Sequence, residues 1–172
     1  MLPPVIKTTR FTLKPYERHD EDAFIEICLD KEAQRFMNGG LTRDESEERS
    51  LFRKIFDIYA DHGKRWCWIW GIYEDNKLCG HFELKETEHT AADELEIVYM
   101  VHPAERRRGV MSEVLHTIKN KQPGWNKAII ATTSLDNDVS IALLHKWGVE
   151  KQEIITAPDT LEQYYKFCLR RY

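Results

Sequence analysis

Between Glu96 and Glu113 the chain reads Glu-Ile-Val-Tyr-Met-Val-His-Pro-Ala-Glu-Arg-Arg-Arg-Gly-Val-Met-Ser-Glu. Ile97 to Val101 is a β-type apolar run, and Pro103 ends it. Arg106, Arg107, Arg108 and Gly109 then make a basic turn. Beyond them Val110, Val114, Leu115 and Ile118 recur at helical spacing. A strand feeding directly into an amphipathic helix requires the helix to pack back on its own sheet, which places the chain in the α/β class. The same junction suits a phosphate group. The first N–H groups of a helix lack internal partners and its dipole favours an anion there, while arginines add charge-assisted hydrogen bonds.

Composition narrows what that anion belongs to. With 172 residues, 42% of them hydrophobic, the chain fills one core, and we expect a single domain over 1–172. The net charge of −4 argues against a nucleic-acid binder, so the arginines form a local basic spot matched to a small anion. Cys28, Cys67, Cys79 and Cys168 show no CxxC spacing, and His81, His89, His102 and His145 show no ligand spacing, so no metal is expected. The N-terminal segment lacks the apolar core of a signal peptide and no run approaches membrane-spanning length. Reduced thiols and a cytoplasmic location follow as expectations.

Along the chain, Thr8–Lys14 reads as a strand. Asp20 serves as N-cap for a helix bearing Ala23, Phe24, Ile27 and Cys28, and Asn38-Gly39-Gly40 breaks the chain. Thr42 and Glu45 form a capping-box pattern ahead of a second helix with a stripe of Leu51, Phe52, Ile55, Ile58 and Tyr59, closed by His62-Gly63. Arg65–Tyr73 and Leu78–Lys85 flank the turn Glu74-Asp75-Asn76-Lys77 as a hairpin, with Trp66, Trp68 and Trp70 on one face. After the Glu94–Val101 strand and the helix that ends before Pro123-Gly124, Ala128–Thr133 is a buried-type strand. Asp136 or Asn137 caps a last helix that stops at Gly148. Val149–Thr156 and Leu161–Leu169 form a final strand pair. The order predicts a mixed central sheet of about seven strands flanked by about four helices.

These blocks resemble the GNAT superfamily of N-acetyltransferases. Arg106-Arg107-Arg108-Gly109-Val110-Met111 is similar to that family's Gln/Arg-x-x-Gly-x-Gly/Ala turn. The lead-in from Glu96 to Pro103 resembles the branch that acetylates ribosomal-protein N-termini. A second block, Asn137-x-x-Ser140 followed by Leu143-Leu144-His145-Lys146-Trp147-Gly148, resembles the helix that lies along the pantetheine arm in that branch. Three positions depart from the pattern. Met111 stands where Gly or Ala is usual, Leu144 where many relatives carry a tyrosine acid, and Val98 where glycine is common.

The resemblance implies acetyl-CoA as donor and a primary amine, on a protein N-terminus or a small molecule, as acceptor. Met100 and Val101 then supply backbone amides for the pantetheine and the thioester carbonyl. Arg106, Arg107, Arg108, Gly109, Val110, Met111 and Ser112 hold the pyrophosphate, and Asn137 contacts the donor. Glu96 is the candidate general base and Ser140 the candidate acid, with Tyr164 and Tyr165 as further hydroxyls. Each has a plainer reading. Arginine triplets are commonly solvated charge, a strand glutamate commonly pairs with a cation, Ser140 can bond back to a carbonyl, and Asn137 is at least a cap. The alternative to an enzyme is a non-catalytic acyl-CoA-binding module on the same fold. The acidic runs Asp20-Glu21-Asp22 and Asp44 to Glu48 suit a cationic acceptor or simply a solvated face. A homodimer through edge strands is open.

Overall fold

Hydrophobic alternation in the strands and helical stripes between them sort the side chains onto two faces of one sheet. A computed structural model describes residues 2–37, 42–61, 67–121, 127–149, 151–157 and 161–168. Among these residues the strands are β1 (Ile6–Lys7), β2 (Thr12–Lys14), β3 (Cys67–Glu74), β4 (Lys77–Lys85), β5 (Glu94–Val101), β6 (Ala128–Ser134), β7 (Lys151–Thr156) and β8 (Gln163–Cys168). The helices are α1 (Glu21–Cys28), α2 (Lys31–Phe36), α3 (Glu45–Ala60), α4 (Val110–Lys121) and α5 (Asp138–Trp147). They build one sheet in the order β1-β2-β3-β4-β5-β6-β8-β7. Every neighbouring pair is antiparallel except β5 and β6, which run parallel.

Two cores follow from the period-two alternation. On one face Trp70, Phe82, Leu84, Leu95, Ile129 and Phe167 pack under α4 and α5. On the other, Ile69, Tyr73 and Leu78 pack against Phe24 and Ile27 of α1 and Phe52 and Ile55 of α3. Trp68 and Trp70 stack edge to face at 5.7 Å, and the Trp70 indole N–H donates to Pro4 O at 2.7 Å. They are packing residues of the first core; Trp66 lies outside the described residues.

The structure has one strand and one helix more than the sequence predicts. The expected Thr8–Lys14 strand is a hairpin, because Thr8 N–H donates to Phe11 O and Phe11 N–H to Thr8 Oγ1, both at 2.8 Å, closing a turn between β1 and β2. The extra helix α2 is short; Asp30 caps it by accepting from Ala33 N–H at 2.9 Å. Two capping boxes overlap before α3, and the operative one is Asp44 with Glu47 rather than Thr42 with Glu45, each side chain accepting from the other's backbone at 2.9 Å. Asp20 does not cap α1 with its carboxylate. It is buried, accepting from Glu17 N–H at 2.8 Å and from the Tyr73 hydroxyl at 2.6 Å. Asn137 rather than Asp136 caps α5, accepting from Ser140 N–H at 3.1 Å, and Gly148 ends that helix in the left-handed conformation at φ 87. The breaks at 38–40, 62–63 and 123–124 lie outside the described residues.

Candidate active site

The parallel pair opens into a cleft. β5 and β6 are in register only over Glu94↔Ala128, Leu95↔Ile129 and Glu96↔Ile130, although both strands continue past that point. Beyond the last pair they separate, leaving a wedge with a volume of about 1350 Å³ that reaches both faces of the sheet. α2, the Arg106–Ser112 junction and the start of α5 line it. The space is larger than a single drug-sized ligand requires.

Among the described residues, separation leaves one edge of β5 without a strand partner. His102 N–H donates to Cys79 O at 2.9 Å, and His81↔Met100 and Gly80↔Val101 are in register. Backbone polar groups alternate sides along a strand, so Met100 turns its N–H and C=O toward β4. Consistently, the Met100 carbonyl stands 2.7 Å from where a Cβ on Gly80 would sit. Tyr99 and Val101 turn theirs into the wedge. Of the two amides expected from sequence, Val101 faces the cleft and Met100 does not; Tyr99 takes its place.

At the wide end lies the basic turn. Glu113 N–H donates to Gly109 O at 3.1 Å, the first bond of α4, so the amides of Val110, Met111 and Ser112 have no helical acceptor and stand at the cleft. Arg107 and Gly109 adopt left-handed backbone at φ 60 and φ 78, which bends the chain around that end. The three arginines diverge. Arg106 is held by Asp30 and, at 2.6 Å, by Glu32. Arg108 does not line the cleft. Its guanidinium pairs with Glu105 and, at 2.7 Å, with Glu74, which neutralises the buried Glu105 and holds the guanidinium off the cleft. Only Arg107 lines the cleft without an ion pair among the described residues. Met111 turns its side chain into the first core beside Val110 and Val114, and Leu144 is fully buried in the same core.

The junction is braced from the N-terminal hairpin. Glu113 accepts from the Thr8 hydroxyl at 2.6 Å and from Arg10 N–H and Nε at 2.7 and 2.8 Å. Arg10 Nη2 also donates to Arg108 O at 2.9 Å. Partial burial works against its charge, but the Thr8 and Arg10 donors outweigh it and hold the Glu113 carboxyl down to about 2.

At the narrow end, Glu96 is 4% exposed and lines the cleft. One carboxylate oxygen accepts from the Thr87 hydroxyl at 2.5 Å and the other from the Thr132 hydroxyl. Lys85 lies directly across the β4–β5 register and also lines the cleft. It pairs with Glu83 at 2.5 Å, and Glu83 accepts from or pairs with His81 Nε2 at 3.0 Å, whose Nδ1 meets the Tyr16 hydroxyl at 2.8 Å. Burial opposes the Glu83 charge, yet the His81 hydrogen bond and the His81 and Lys85 charges keep it at about 2. His81, ordinary by spacing, is thus buried in a polar chain that ends at the cleft.

Across the wedge, Ser140 Oγ lies 2.7 Å from the Tyr99 hydroxyl, and both line the cleft beside Asn137. Tyr164 lines it too, with its hydroxyl donated to Glu162, while Tyr165 packs against the first core. Thr87, Thr132 and Lys85 have no signal in the linear sequence beyond their residue types, and Tyr99 is marked only by its place in the Glu96–Pro103 lead-in. Glu74, Cys79 and Glu105 bring ligand-capable atoms within 4.8 Å of one another, but Lys77 and Arg108 already occupy the carboxylates. Among the described residues no helix is long and apolar enough to cross a membrane.

The profile of the acetyltransferase (GNAT) domain family matches residues 10–150. Among solved structures, a GNAT-family acetyltransferase from Bacillus anthracis aligns over 96% of this chain and 98% of its own, at 20% identity and TM-score 0.76. The Salmonella typhimurium acetyl transferase that modifies the N-terminal serine of 50S ribosomal subunit protein L7/L12 aligns over 98% and 100%, at 13% identity and TM-score 0.78. Mycobacterium smegmatis RimJ, in complex with CoA-disulfide, aligns over 97% and 87%, at 18% identity and TM-score 0.77. At these identities the likeness is one of fold. Among curated protein sequences none matches the chain.

Proposed function

Because the chain belongs to the acetyltransferase (GNAT) domain family, we propose that it transfers the acetyl group of acetyl-CoA to a primary amine by direct attack, within the wedge between β5 and β6. One observation carries the reading. The opened seam has unpartnered helix amides at its wide end, a free strand edge along its length and a buried carboxylate at its narrow end. These are the three things a phosphorylated thioester donor and a nucleophilic amine require.

The amides of Val110, Met111 and Ser112, with the Arg107 guanidinium, hold the pyrophosphate. The Tyr99 and Val101 backbone groups pair with the pantetheine arm, and an amide on that edge stabilises the charge that develops on the carbonyl oxygen. The amine nitrogen forms the new C–N bond and the C–S bond breaks. Glu96, steadied by Thr87 and Thr132, takes the amine proton directly or through a water; Ser140 donates toward the departing sulfur. Protein N-terminal amines and small-molecule amines both fit this scheme, and the fold leaves the choice between them to the site's outer residues. Met111 and Leu144, the departures that would favour a non-catalytic module, both place their side chains in the core.

The test is CoA release from acetyl-CoA with a panel of amines, including a peptide N-terminus. Release that falls about 10²- to 10⁴-fold in Glu96→Gln, with acetyl-CoA binding retained, is the expected outcome. Binding without release for any amine would favour the non-catalytic module. No binding would overturn the donor assignment.

A further inference from the structure

Leu144 carries no hydroxyl and is buried, so the acid that serves the leaving thiolate has to come from another position. Ser140 and Tyr99 are the hydroxyls that meet across the wedge, one from the first turn of α5 and one from β5. Ser140 is fixed by its own backbone: its N–H donates to Asn137 Oδ1 at 3.1 Å, so the cap that starts α5 also sets where the serine points. Its Oγ lies 2.7 Å from the Tyr99 hydroxyl, and both residues line the cleft.

Resting on the acetyl-CoA reading above, we propose that Tyr99 is a positioning residue for thiolate departure. Its phenol donates to Ser140 Oγ and so leaves the Ser140 proton free to reach the thioester sulfur. Chemistry gives the direction of the bond. A phenol is the stronger donor and an alkyl hydroxyl the stronger acceptor, and each has a single proton to give. If Ser140 spent its proton on Tyr99, it would have none for the sulfur. Donation from Tyr99 also polarises the serine hydroxyl, making it a better donor in turn. Burial pushes the Tyr99 phenol up to about 12 against the opposing Ser140 hydrogen bond, so Tyr99 keeps its proton across the working pH range. Proton accounting closes: the amine proton goes to Glu96, the departing thiolate is held by the Ser140 hydrogen bond, and solvent protonates the sulfur as CoA leaves and takes the proton from Glu96.

The experiment titrates the thiol of CoA bound to the protein, followed by thiolate absorbance. In the native protein the bound thiol should titrate below free CoA, because the hydroxyl pair stabilises the thiolate. Tyr99→Phe and Ser140→Ala should each raise it by about one pKa unit, the size of one hydrogen bond to a charged group. The double variant should go no further than either single one. A fluorinated tyrosine at position 99, nearly isosteric, should lower it further and serves if Tyr99→Phe melts early. kcat should fall about tenfold in Tyr99→Phe with the KM for acetyl-CoA unchanged. A bound-thiol titration that ignores Tyr99→Phe or the fluorinated residue overturns the assignment while CoA binding stands. Failure of the native protein to bind CoA overturns the donor reading itself.

Discussion

Glu113 shows how one side chain serves the site without touching its contents. It accepts three donors from the Thr8–Arg10 turn, so the N-terminal hairpin and the cleft-facing end of α4 are joined through a single carboxylate. Its carboxyl lies at about 2 against an ordinary 4.5. A lowered folded-state value stabilises the fold at pH above the ordinary value, and that contribution is lost as pH falls from about 4.5 through about 2. Glu113→Gln should therefore lower the melting temperature at pH 7 by about 2–4 °C, equivalent to ~1 kcal/mol. Scanning calorimetry at descending pH should show the gap to the native protein closing below pH ~4. A gap independent of pH would mean that packing, not charge, sets the cost. The residue types at the site were legible: Glu96, Ser140, Asn137 and the amides of 110–112 all line one cleft. The roles of the three arginines were not. Adjacent in sequence, they point to three different environments, since left-handed backbone at Arg107 turns successive side chains apart.

At the scale of elements, α2 is the unexpected feature. Arg106 ties its first turn to the basic turn, and Arg35 ties its last turn to Asp136 ahead of α5 at 2.5 Å. The helix thus bridges the two sides of the wedge, with Glu32, Ala33 and Phe36 on the cleft. In this arrangement Arg106 is committed to carboxylates, and under the proposed function it would reach the pyrophosphate only by releasing them. Glu32→Gln should weaken that hold and tighten acetyl-CoA binding two- to fivefold by calorimetric titration, within the ~0.2–1 kcal/mol that an exposed ion pair is worth. Weaker binding would show that Glu32 orients Arg106 toward the donor instead. Sequence periodicity finds long amphipathic helices such as α3 and α4, whose stripes repeat over several turns. A six-residue helix without a buried residue offers no stripe to find.

At the scale of the whole fold, the wedge exists because the eight strands among the described residues make one sheet with a single parallel seam, and the seam is paired over three residues. β8 inserts between β6 and β7 and holds β6 from its far side over five residues, Ile130↔Cys168 to Ser134↔Tyr164, while β4 holds β5. Each strand is thus anchored away from the other. A donor spanning the opening would bind only the folded state. At a concentration of ~100 Kd it adds about 2.7 kcal/mol, so acetyl-CoA should raise the melting temperature by about 5–10 °C. Thermal-shift measurements at increasing acetyl-CoA check this, and a flat response would mean that the seam is no donor site.

The sequence by itself determined the order of the longer elements, the α/β class and the strand–turn–helix junction, because all three depend on local periodicity, turn residues and cap chemistry within a few residues. It also carried the family, through two short blocks read in order. Tertiary structure decided what those blocks face. Whether Met100 or Tyr99 turns its backbone to the cleft follows from the register of β5 on β4. That Arg108 pairs with Glu74, and Glu96 rests between Thr87 and Thr132, follows from strands brought side by side. Such contacts join residues distant in the chain, so no local pattern encodes them. The sheet has to assemble before they exist.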